Sequence, residues 1–459
     1  MSNNKLLNLP TKRVHFIGIG GCSMSGLALI LHNMGFHVTG SDISESSYTK
    51  LLSNAGINFK IGHSPDNVDG VDLVVYTAAV KPDNCEYMRA EEKNIPLMKR
   101  STLLGHISEL YKTVIGISGC HGKTTITSML AIILSYCNID ATVHVGGLVK
   151  QLNGGIKIGN SDIFLTEACE YVQSFLKLKP SHVLINNIDD DHLDCYRDID
   201  HIYQTFKQFA LKVDETGIVF GCGDEPMVVK LLGELTAPNI TYGLKESNDY
   251  YAKNITFDKM GNVSYDLFIK GAFSGKVILN IPGTYNVVNS LAAISVAHEL
   301  FNLSIEQIAA SLLTYTLTKR RFEVLGVRNG VTVIHDYAHH PTEIKVCIDA
   351  CRNYPKKKLF VVFQCHLFSR AKTLKDKYAT AFVGADIVLV PDICGAREKD
   401  DGTIHATDLV KAISENTPAI YLKCFDEINE YIKKHAKSGD VVLTLGPGNV
   451  NKLSLKLLQ

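Results

Sequence analysis

One stretch near residue 120 restricts the possible folds of this chain more than any other. It begins with an apolar, β-rich run at 113–117, continues as Ser-Gly-Cys-His-Gly-Lys-Thr-Thr over 118–125, and ends in an apolar segment, 126–134, that predicts a helix. A strand, a glycine loop with Gly-Lys-Thr and a helix, in that order, are typical of a nucleoside-triphosphate phosphate loop. Glycine lets backbone N–H groups turn toward the phosphates because it has no Cβ. We therefore expect Lys123 to reach the β/γ oxygens and Thr124 to face Mg²⁺.

The match to the general pattern G-x-x-x-x-G-K-[ST] is incomplete. That pattern needs glycine at position 117, where this chain has Ile117, so the loop is a shorter G-x-x-G-K-T-T. The alternative is an ordinary glycine-rich turn with a chance lysine. The order of strand, loop and helix favours the phosphate loop.

A second glycine turn lies near the N-terminus. Residues 13–20 predict a strand that runs into glycines, a helix follows through residue 31, and a second strand, 37–40, ends at Ser41 and Asp42. The dinucleotide fingerprint G-x-G-x-x-G would need glycine at position 23, which is Ser23. An anion at a helix N-terminus still suits this turn, and Asp42 suits a ribose or base contact. A nucleotide diphosphate is therefore expected rather than NAD; the alternative is a close-packed turn without a ligand.

Strand and helix patterns alternate along the rest of the chain, which predicts parallel α/β sheets. Further strands are predicted at 71–76, near 95–97, and at 163–166, 182–185, 331–334, 359–363, 387–390 and 441–445. A polar stretch, 101–112, leads into the phosphate loop, and a long apolar helix follows Pro282. The length suggests about three domains. We place them at 1–111, 112–319 and 320–459: an α/β chain with Rossmann-like first and third domains around a P-loop ATPase-like central domain.

Acidic residues collect after two central strands. Glu167 and Glu170 follow one strand, and four aspartates (189, 190, 191 and 194) with His192 follow another. The carboxyl ends of parallel strands share one edge of a sheet, where carboxylates and a histidine can hold Mg²⁺ against a triphosphate. The alternative is an exposed helix N-terminus decorated with acids, which is favourable by itself.

Polar turns also end three strands of the last domain. They span 335–343, 364–370 and 446–449, and the first two carry His, Arg and Asp side chains. A single histidine there would more often be structural, but three such turns at one edge favour a small charged ligand. Asn286 and Asn289 precede the long apolar helix, and the sequence leaves open whether they cap it or face a base edge.

Composition excludes other classes of protein. Lys plus Arg equals Asp plus Glu at 47 each, so no net field favours nucleic acid. No apolar run is long enough to span a bilayer, and residues 1–10 lack a signal-peptide core. Twelve cysteines without a C-x-x-C pair indicate reduced thiols, so we expect a cytoplasmic protein that binds neither nucleic acid nor membrane.

Taken in order, these motifs resemble the Mur ligases over nearly the whole chain. The resemblance rests on His-Phe-Ile-Gly-Ile-Gly-Gly at 15–21, Gly-Cys-His-Gly-Lys-Thr-Thr at 119–125, Glu-Ala-Cys-Glu at 167–170, Asn-Ile-Asp-Asp-Asp-His-Leu-Asp at 187–194, Arg-Arg-Phe-Glu at 320–323, Asp-Tyr-Ala-His-His-Pro-Thr-Glu at 336–343, and Gln364, His366, Ser369 and Arg370.

The resemblance implies a role for each domain. The first would bind the UDP of a sugar nucleotide through Gly18, Gly20, Gly21, Met24, Ser25, Gly26, Ser41, Asp42 and His63. ATP would be bound through Gly119, Cys120, His121, Gly122, Lys123, Thr124, Thr125, Asn286, Asn289 and Arg321. Mg²⁺ would be held by Thr124, Glu170 and His192, and the incoming amino acid by His339 and Arg370. The catalytic residues it implies are Lys123, Glu170, His192 and Arg321.

The implied activity is an ATP-dependent amide ligase of peptidoglycan precursor synthesis. It would join L-alanine to the lactyl carboxylate of UDP-N-acetylmuramate through an acyl phosphate, releasing ADP and phosphate, as a monomer or weak homodimer. Three alternatives stay open: a sister ligase that attaches a preformed murein peptide to the same sugar nucleotide, a nucleotide-binding oxidoreductase, and a non-catalytic nucleotide-binding regulator.

The chain also departs from the family pattern at several positions. The family often has aspartate, glutamate, proline, arginine and histidine where this chain has Cys169, Asp189, Cys365, Leu367 and Tyr285. Without an arginine at 367, Arg370 would have to provide more of the binding of the incoming amino acid. Because Cys120, Cys169 and Cys365 fall in ligand turns, we hypothesise that thiol alkylation inactivates the protein and that ATP protects Cys120.

Overall fold

The structure, a computed structural model, describes residues 12–152, 154–192, 195–396 and 398–459, without the side chain of Leu148. The N-terminal decapeptide and Asp194, both used in the sequence argument, lie outside the described residues. The chain divides into two compact units. The first comprises the described residues of 1–190, 198–251 and 290–311, and the second those of 191–197, 252–289 and 312–459.

The first unit opens with a five-stranded sheet. Its elements are β1 (Arg13–Ile17), α1 (Cys22–Asn33), β2 (His37–Asp42), α2 (Ser47–Asn54), β3 (Asn58–Ile61), β4 (Leu73–Tyr76), α3 (Cys85–Glu92), β5 (Leu97–Lys99) and α4 (Arg100–Ser108). The strand order is β3-β2-β1-β4-β5, and all neighbours are parallel. This is the Rossmann-like arrangement that the sequence predicted, with the glycine turn between β1 and α1.

Helix α4 occupies most of the stretch that the sequence treated only as polar. Leu103 and Ile107, one turn apart, are both fully buried, so the segment has the apolar spacing of a packed helix. The helix packs closely: a Cβ on Gly105 would lie 2.4 Å from the carbonyl oxygen of Lys177.

The same unit contains the sheet that carries the phosphate loop. Its elements are β6 (Thr113–Ser118), α5 (Lys123–Tyr136), β7 (Thr142–Val149), β8 (Gly154–Lys157), β9 (Ile163–Glu167), β10 (His182–Ile185), α6 (Ile199–Ala210), β11 (Val219–Cys222), α7 (Pro226–Leu232), β12 (Asn239–Gly243) and the start of β13 (Tyr250–Phe257). Strands β12-β11-β10-β6-β9-β7 run parallel, and β8 is antiparallel to β7. Because β6 lies between β9 and β10, the phosphate loop and both acidic turns share one sheet edge, as predicted.

The remaining elements belong wholly or partly to the second unit. They are β14 (Asn262–Ile269), β15 (Ala272–Pro282), α8 (Thr284–Phe301), α9 (Ile305–Leu313), β16 (Glu323–Arg328), β17 (Val331–Asp336), α10 (Pro341–Arg352), β18 (Leu359–Phe363), α11 (Phe368–Ala381), β19 (Ile387–Val390), α12 (Ala406–Ile413), β20 (Ala419–Tyr421), α13 (Phe425–His435), β21 (Val441–Leu445) and α14 (Val450–Lys456). Strands β14 and β15 form an antiparallel pair.

The last sheet confirms a third α/β layer. Its order is β16-β17-β21-β18-β19-β20, and all neighbours are parallel except β16 with β17. Strands β18 and β21 are buried along their whole length, as expected for central parallel strands with both faces covered. Among the helices of the described residues, none is both long and apolar enough to cross a membrane.

Candidate active site

The phosphate loop between β6 and α5 has the backbone geometry that the sequence predicted. Gly122 has φ +85° and is the N-cap of α5, a left-handed conformation that favours glycine. A Cβ on Gly119 would lie 3.0 Å from Cβ of Asn186. Two asparagines after β10 hold the loop: the N–H of His121 donates to Oδ1 of Asn187 at 2.8 Å, and the side-chain amides of Asn186 and Asn187 both donate to the His121 carbonyl at 3.1 Å.

Lys123 lies inside this loop and pairs with Glu170. Its ammonium group donates to the Gly119 carbonyl at 2.5 Å and lies 3.0 and 2.8 Å from Oε1 and Oε2 of Glu170. Burial by itself lowers the pKa of Lys123, but the neighbouring groups, led by the Glu170 carboxylate, together outweigh burial and raise it. The structure therefore brings together two predicted catalytic residues and keeps the lysine charged.

Thr124 bonds to a different carboxylate. Its hydroxyl donates to Oε2 and Oε1 of Glu167 at 3.0 and 3.2 Å, and the N–H of Gly146 donates to Oε2 at 2.8 Å. Glu167, one of the carboxylates that the sequence placed at this edge, thus fixes the threonine. A hydroxyl and the carboxylates of Glu167 and Glu170 form the all-oxygen donor set that Mg²⁺ prefers, so these residues fit that ion.

The thiols of the ligand turns are mostly shielded. Cys120 is 7% exposed, and its sulfur donates to the carbonyl and accepts from the N–H of Asp189, both at 3.2 Å. Burial raises the pKa of Cys169 to about 11 and that of Cys365 to about 12. Both therefore carry little thiolate at neutral pH, and we expect them to react slowly with alkylating agents.

The glycine turn of the first domain is fastened to the end of β2. The N–H groups of Gly18 and Ile19 donate to the Ser41 carbonyl at 2.8 and 3.0 Å. Gly20 donates its N–H to Oδ2 of Asp42 at 2.8 Å, and Ile43 donates to Oδ1 at 2.7 Å. Asp42 therefore shapes the turn, and its contact with a ribose or base stays a prediction.

The first turns of α1 contain the remaining residues predicted for this turn. Met24 and Ser25 are 1% and 3% exposed, so a ligand here would meet backbone N–H groups rather than their side chains. Ser23, at the place of the third fingerprint glycine, accepts from Nη1 of Arg100 at 2.9 Å and bonds to Nε2 of His144 at 2.9 Å. An arginine at the N-terminal turn of a helix strengthens the case for an anion.

Ser41 and His63, both predicted to bind the sugar nucleotide, meet at a buried carboxylate. The Ser41 hydroxyl donates to Oε2 of Glu86 at 2.5 Å, and Nδ1 of His63 lies 3.2 Å from the same oxygen. Burial alone would raise the pKa of Glu86, but hydrogen bonds, led by those from His15 and Ser41, outweigh it and lower the pKa to about 2. Glu86 is therefore ionised at neutral pH.

In the second unit, Glu343 connects two predicted residues. Nη1 of Arg321 lies 3.7 Å from Oε1, while Nδ1 of His339 lies 3.4 Å from Oε2. The guanidinium of Arg321 is also 5.5 Å from the ring centre of Tyr337. Burial lowers the pKa of His339 to about 4, although Glu343 opposes the shift. His339 is therefore neutral at pH 7.

Arg370, the predicted carboxylate ligand, lies near Asp191. Nη2 of Arg370 is 3.6 Å from Oδ1 of Asp191, which is 6% exposed, and Nη1 donates to the His366 carbonyl at 3.4 Å. Leu367, where the family often has arginine, is buried and has φ +77°. His192 follows Asp191 with φ +55°, an uncommon conformation outside glycine. The structure thus brings Arg370 to the acidic turn that contains the predicted metal ligand.

The sequence suggested that Asn286 and Asn289 precede the long apolar helix, but both lie in the first turns of α8, which begins at Thr284. The amide of Asn286 donates to the Pro282 carbonyl at 2.7 Å, and that of Asn289 donates to Oδ1 of Asn286 at 3.2 Å. Both side chains are buried. These bonds are not helix caps, because a capping side chain accepts from backbone N–H groups whereas these amides donate. A contact with adenine stays a prediction that requires one of these bonds to open. Tyr285 is partly buried, and burial of its hydroxyl group raises its pKa.

Two residues of these sites, Glu86 and Arg100, had no role in the sequence analysis. Glu86 and Arg100 contact residues 45 and 77 positions away in the sequence. No local pattern identifies partners at such distances.

Three family models match successive parts of the chain. They are the Mur ligase family catalytic domain at residues 13–112, the Mur ligase middle domain at 117–297, and the Mur ligase glutamate ligase domain at 320–448.

Individual proteins match over nearly the full length. A UDP-N-acetylmuramate–L-alanine ligase from Caldanaerobacter subterraneus subsp. tengcongensis is 44% identical over 449 residues, which cover 98% of this chain and 97% of that protein. The crystal structure of the UDP-N-acetylmuramate-alanine ligase MurC from Thermotoga maritima has a TM-score of 0.80 at 26% identity, covering 97% of this chain and 98% of the other. A murein peptide ligase from Psychrobacter arcticus has a TM-score of 0.72 at 25% identity, with the same coverages.

Proposed function

The chain belongs to the Mur ligase family, and we propose that it is an ATP-dependent ligase that joins L-alanine to the lactyl carboxylate of UDP-N-acetylmuramate. The observation that carries this proposal is the phosphate loop, in which Lys123 is 11% exposed and paired with Glu170. Such a lysine, charged and surrounded by loop backbone, suits the γ-phosphate of ATP. The full-length likeness to an L-alanine ligase supports the choice of acceptor.

ATP would be held by the loop residues Gly119, Cys120, His121, Gly122, Lys123, Thr124 and Thr125, with Asn286, Asn289 and Arg321 as further contacts. Thr124, Glu170 and His192 would hold Mg²⁺, and the bonds of Glu167 to Thr124 support adding Glu167 to that group. The ion supplies charge neutralisation on the phosphate oxygens. The sugar nucleotide would bind at Gly18, Gly20, Gly21, Met24, Ser25, Gly26, Ser41, Asp42 and His63.

The reaction would proceed in two steps, phosphorylation of the carboxylate and amide formation. A lactyl carboxylate oxygen forms a bond to the γ-phosphorus as the bond from that phosphorus to the β–γ bridging oxygen breaks, so ADP leaves with the electron pair. The neutral amine of alanine then attacks the acyl carbon; phosphate leaves, and the nitrogen loses a proton to give the amide. Lys123 and Arg321 offset the negative charge that develops in the first step.

Arg370 and His339 would position the amino acid. An arginine can bind a carboxylate with two parallel hydrogen bonds. Asp191 lies 3.6 Å from Arg370 in the structure, so the substrate carboxylate would share or replace this partner. His339, neutral because burial lowers its pKa to about 4, would contribute a hydrogen bond rather than a charge.

The experiment that tests the proposal is phosphate release from ATP, Mg²⁺ and UDP-N-acetylmuramate, with and without L-alanine. We expect release to require both the sugar nucleotide and alanine. Release that occurs only with a murein tripeptide would identify the sister ligase, which the likeness to the murein peptide ligase keeps as the second candidate. An absorbance change with NADH, and no phosphate release, would instead support an oxidoreductase.

The remaining expectations are part of the same proposal. We propose a cytoplasmic enzyme of peptidoglycan precursor synthesis, a monomer or weak homodimer, with domains at 1–111, 112–319 and 320–459. The first family match ends at residue 112 and the third begins at residue 320, which supports boundaries near 111 and 320.

A further inference from the structure

Glu86, in the first turn of α3, is a fully buried carboxylate that has no lysine or arginine partner among the described residues. Its side chain is 0% exposed, and all five polar atoms that face it are donors or can be. Oε2 faces the Ser41 hydroxyl at 2.5 Å, Nδ1 of His63 at 3.2 Å and Nε2 of His15 at 3.5 Å. Oε1 accepts from the Asn67 amide at 2.6 Å and from the Ser64 N–H at 3.3 Å. No lysine or arginine forms an ion pair with Glu86 in the described part of the chain.

A buried carboxylate without a lysine or arginine partner is costly. The N-terminus of α3 does not need the Glu86 carboxylate for stability. Asn84 already caps the helix by accepting from the N–H groups of Glu86 and Tyr87 at 3.0 and 3.1 Å. An exposed acid in the first turn would favour the helix equally well. The burial of Glu86 therefore needs another explanation.

The partners of Glu86 supply that explanation. An ionised carboxylate only accepts hydrogen bonds, so the nitrogen of His63 that faces it, Nδ1, must hold a proton. The Ser41 hydroxyl donates its proton to Glu86, so the Ser41 oxygen can accept from the Nδ1–H of His63, which lies 2.9 Å away. The other ring nitrogen, Nε2, makes no hydrogen bond with any residue that the structure describes, and the side chain of His63 is 22% exposed. Glu86 thus fixes which ring nitrogen is left for a ligand.

The same contacts connect Glu86 to the glycine turn. Ser41 accepts from the N–H groups of Gly18 and Ile19 with its carbonyl and donates to Glu86 with its hydroxyl. We propose that Glu86 is a positioning residue of the sugar-nucleotide site, which holds His63 with Nε2 toward the UDP portion of the ligand and holds Ser41 under the glycine turn. This inference rests on the proposed function, since it names a residue of that same site.

The main test is calorimetric binding of UDP to the full chain. Glu86→Gln keeps the shape but places an NH₂ group against donors, so we expect UDP to bind about tenfold more weakly, as for the loss of a hydrogen bond to a charged group. His63→Ala should weaken binding similarly. The loss in the double variant should be smaller than the product of the two single losses, because Glu86 acts in part through His63. In turnover, the KM for UDP-N-acetylmuramate should rise while kcat and the KM for ATP do not. Glu92→Gln, an exposed acid of the same helix, is the matched control and should change nothing.

Unaltered UDP binding by Glu86→Gln would overturn the inference. A loss of UDP affinity in the double variant that equals the product of the two single losses would also overturn it. A second measurement does not depend on the folding of Glu86→Gln, because it uses the wild-type protein labelled with ¹⁵N-histidine. The His63 signal, which is assigned by its absence in His63→Gln, should show a protonated Nδ1. An unprotonated Nδ1 contradicts the proposal. If the wild-type chain turns over with alanine while Glu86→Gln binds UDP normally, only this inference fails. If the wild-type chain binds no UDP, the proposed sugar-nucleotide site fails and the inference with it.

Discussion

Removing one partner of the Lys123–Glu170 pair should destabilise the ligand-free protein more than removing both. The ammonium lies 2.8 and 3.0 Å from the two carboxylate oxygens, and Glu170 is 1% exposed. At an effective dielectric constant near 20, the attraction at that distance is about 6 kcal/mol before the cost of desolvation. Lys123→Met or Glu170→Gln alone leaves a buried charge without its partner, at a cost of about 3–5 kcal/mol. The double variant leaves neither charge, so we expect it to lie within about 2 kcal/mol of the wild type.

The assay is urea denaturation followed by circular dichroism, because the chain has no tryptophan. The matched control is the surface pair Lys112–Asp162, at 3.2 Å, with side chains 86% and 64% exposed; breaking it should cost no more than about 1 kcal/mol. All three variants of the buried pair should lose ATP-dependent turnover, including the stable double variant. Single variants as stable as the surface control, or a double variant as unstable as the sum of the singles, would refute the reasoning.

Three further predictions follow from the same contacts. Arg370→Lys should raise the KM for L-alanine about tenfold, because an ammonium cannot form two parallel bonds to a carboxylate, whereas Arg352→Lys at an exposed ion pair should leave it unchanged; an unaltered KM in the first variant argues against Arg370 as the ligand. Iodoacetamide at pH 7 should label the exposed Cys424 before Cys169 and Cys365, and ATP should slow labelling of Cys120; mass spectrometry that finds Cys365 labelled first contradicts the assigned burial. Stability should fall between pH 6.5 and 4, because burial lowers the pKa of His335 and His339 to about 4 while the unfolded chain takes up those protons from about pH 6.5 downward, at most about 3 kcal/mol each. His335→Asn should make urea midpoints less dependent on pH, and an unchanged slope would show that His335 is not buried neutral.

The elements that the sequence predicted correctly are those with strong local patterns. The strand before the phosphate loop, observed over Thr113–Ser118, the loop itself and α5 follow from a contiguous run of residue types. Central strands such as Val441–Leu445 are fully buried and apolar except for Thr444, so they can be predicted without knowledge of their partner strands. The shared edge of β6, β9 and β10 followed from the general behaviour of parallel sheets.

The features that escaped the sequence depend on distant contacts or on a choice between local ones. Helix α4 was predicted only as a polar stretch, because serine, threonine, histidine and glutamate residues surround its buried Leu103 and Ile107, and because these two residues are covered by other parts of the unit. Glu86 has no distinguishing neighbours in the sequence, and its burial arises only when β1, β2 and the turn at His63 surround it. For Asn286, the sequence left capping and base contact open, and it could not show that the side-chain amide donates to the carbonyl of Pro282.

The most direct test of the ligase account follows an oxygen atom. UDP-N-acetylmuramate labelled with ¹⁸O at both lactyl carboxylate oxygens is incubated with the chain, ATP, Mg²⁺ and L-alanine, and the released phosphate is analysed by mass spectrometry. If the carboxylate attacks the γ-phosphate, each phosphate released with the alanyl product carries one ¹⁸O atom. Alanyl product formed with unlabelled phosphate would contradict the acyl phosphate, and phosphate released without any alanyl product would contradict the ligase itself.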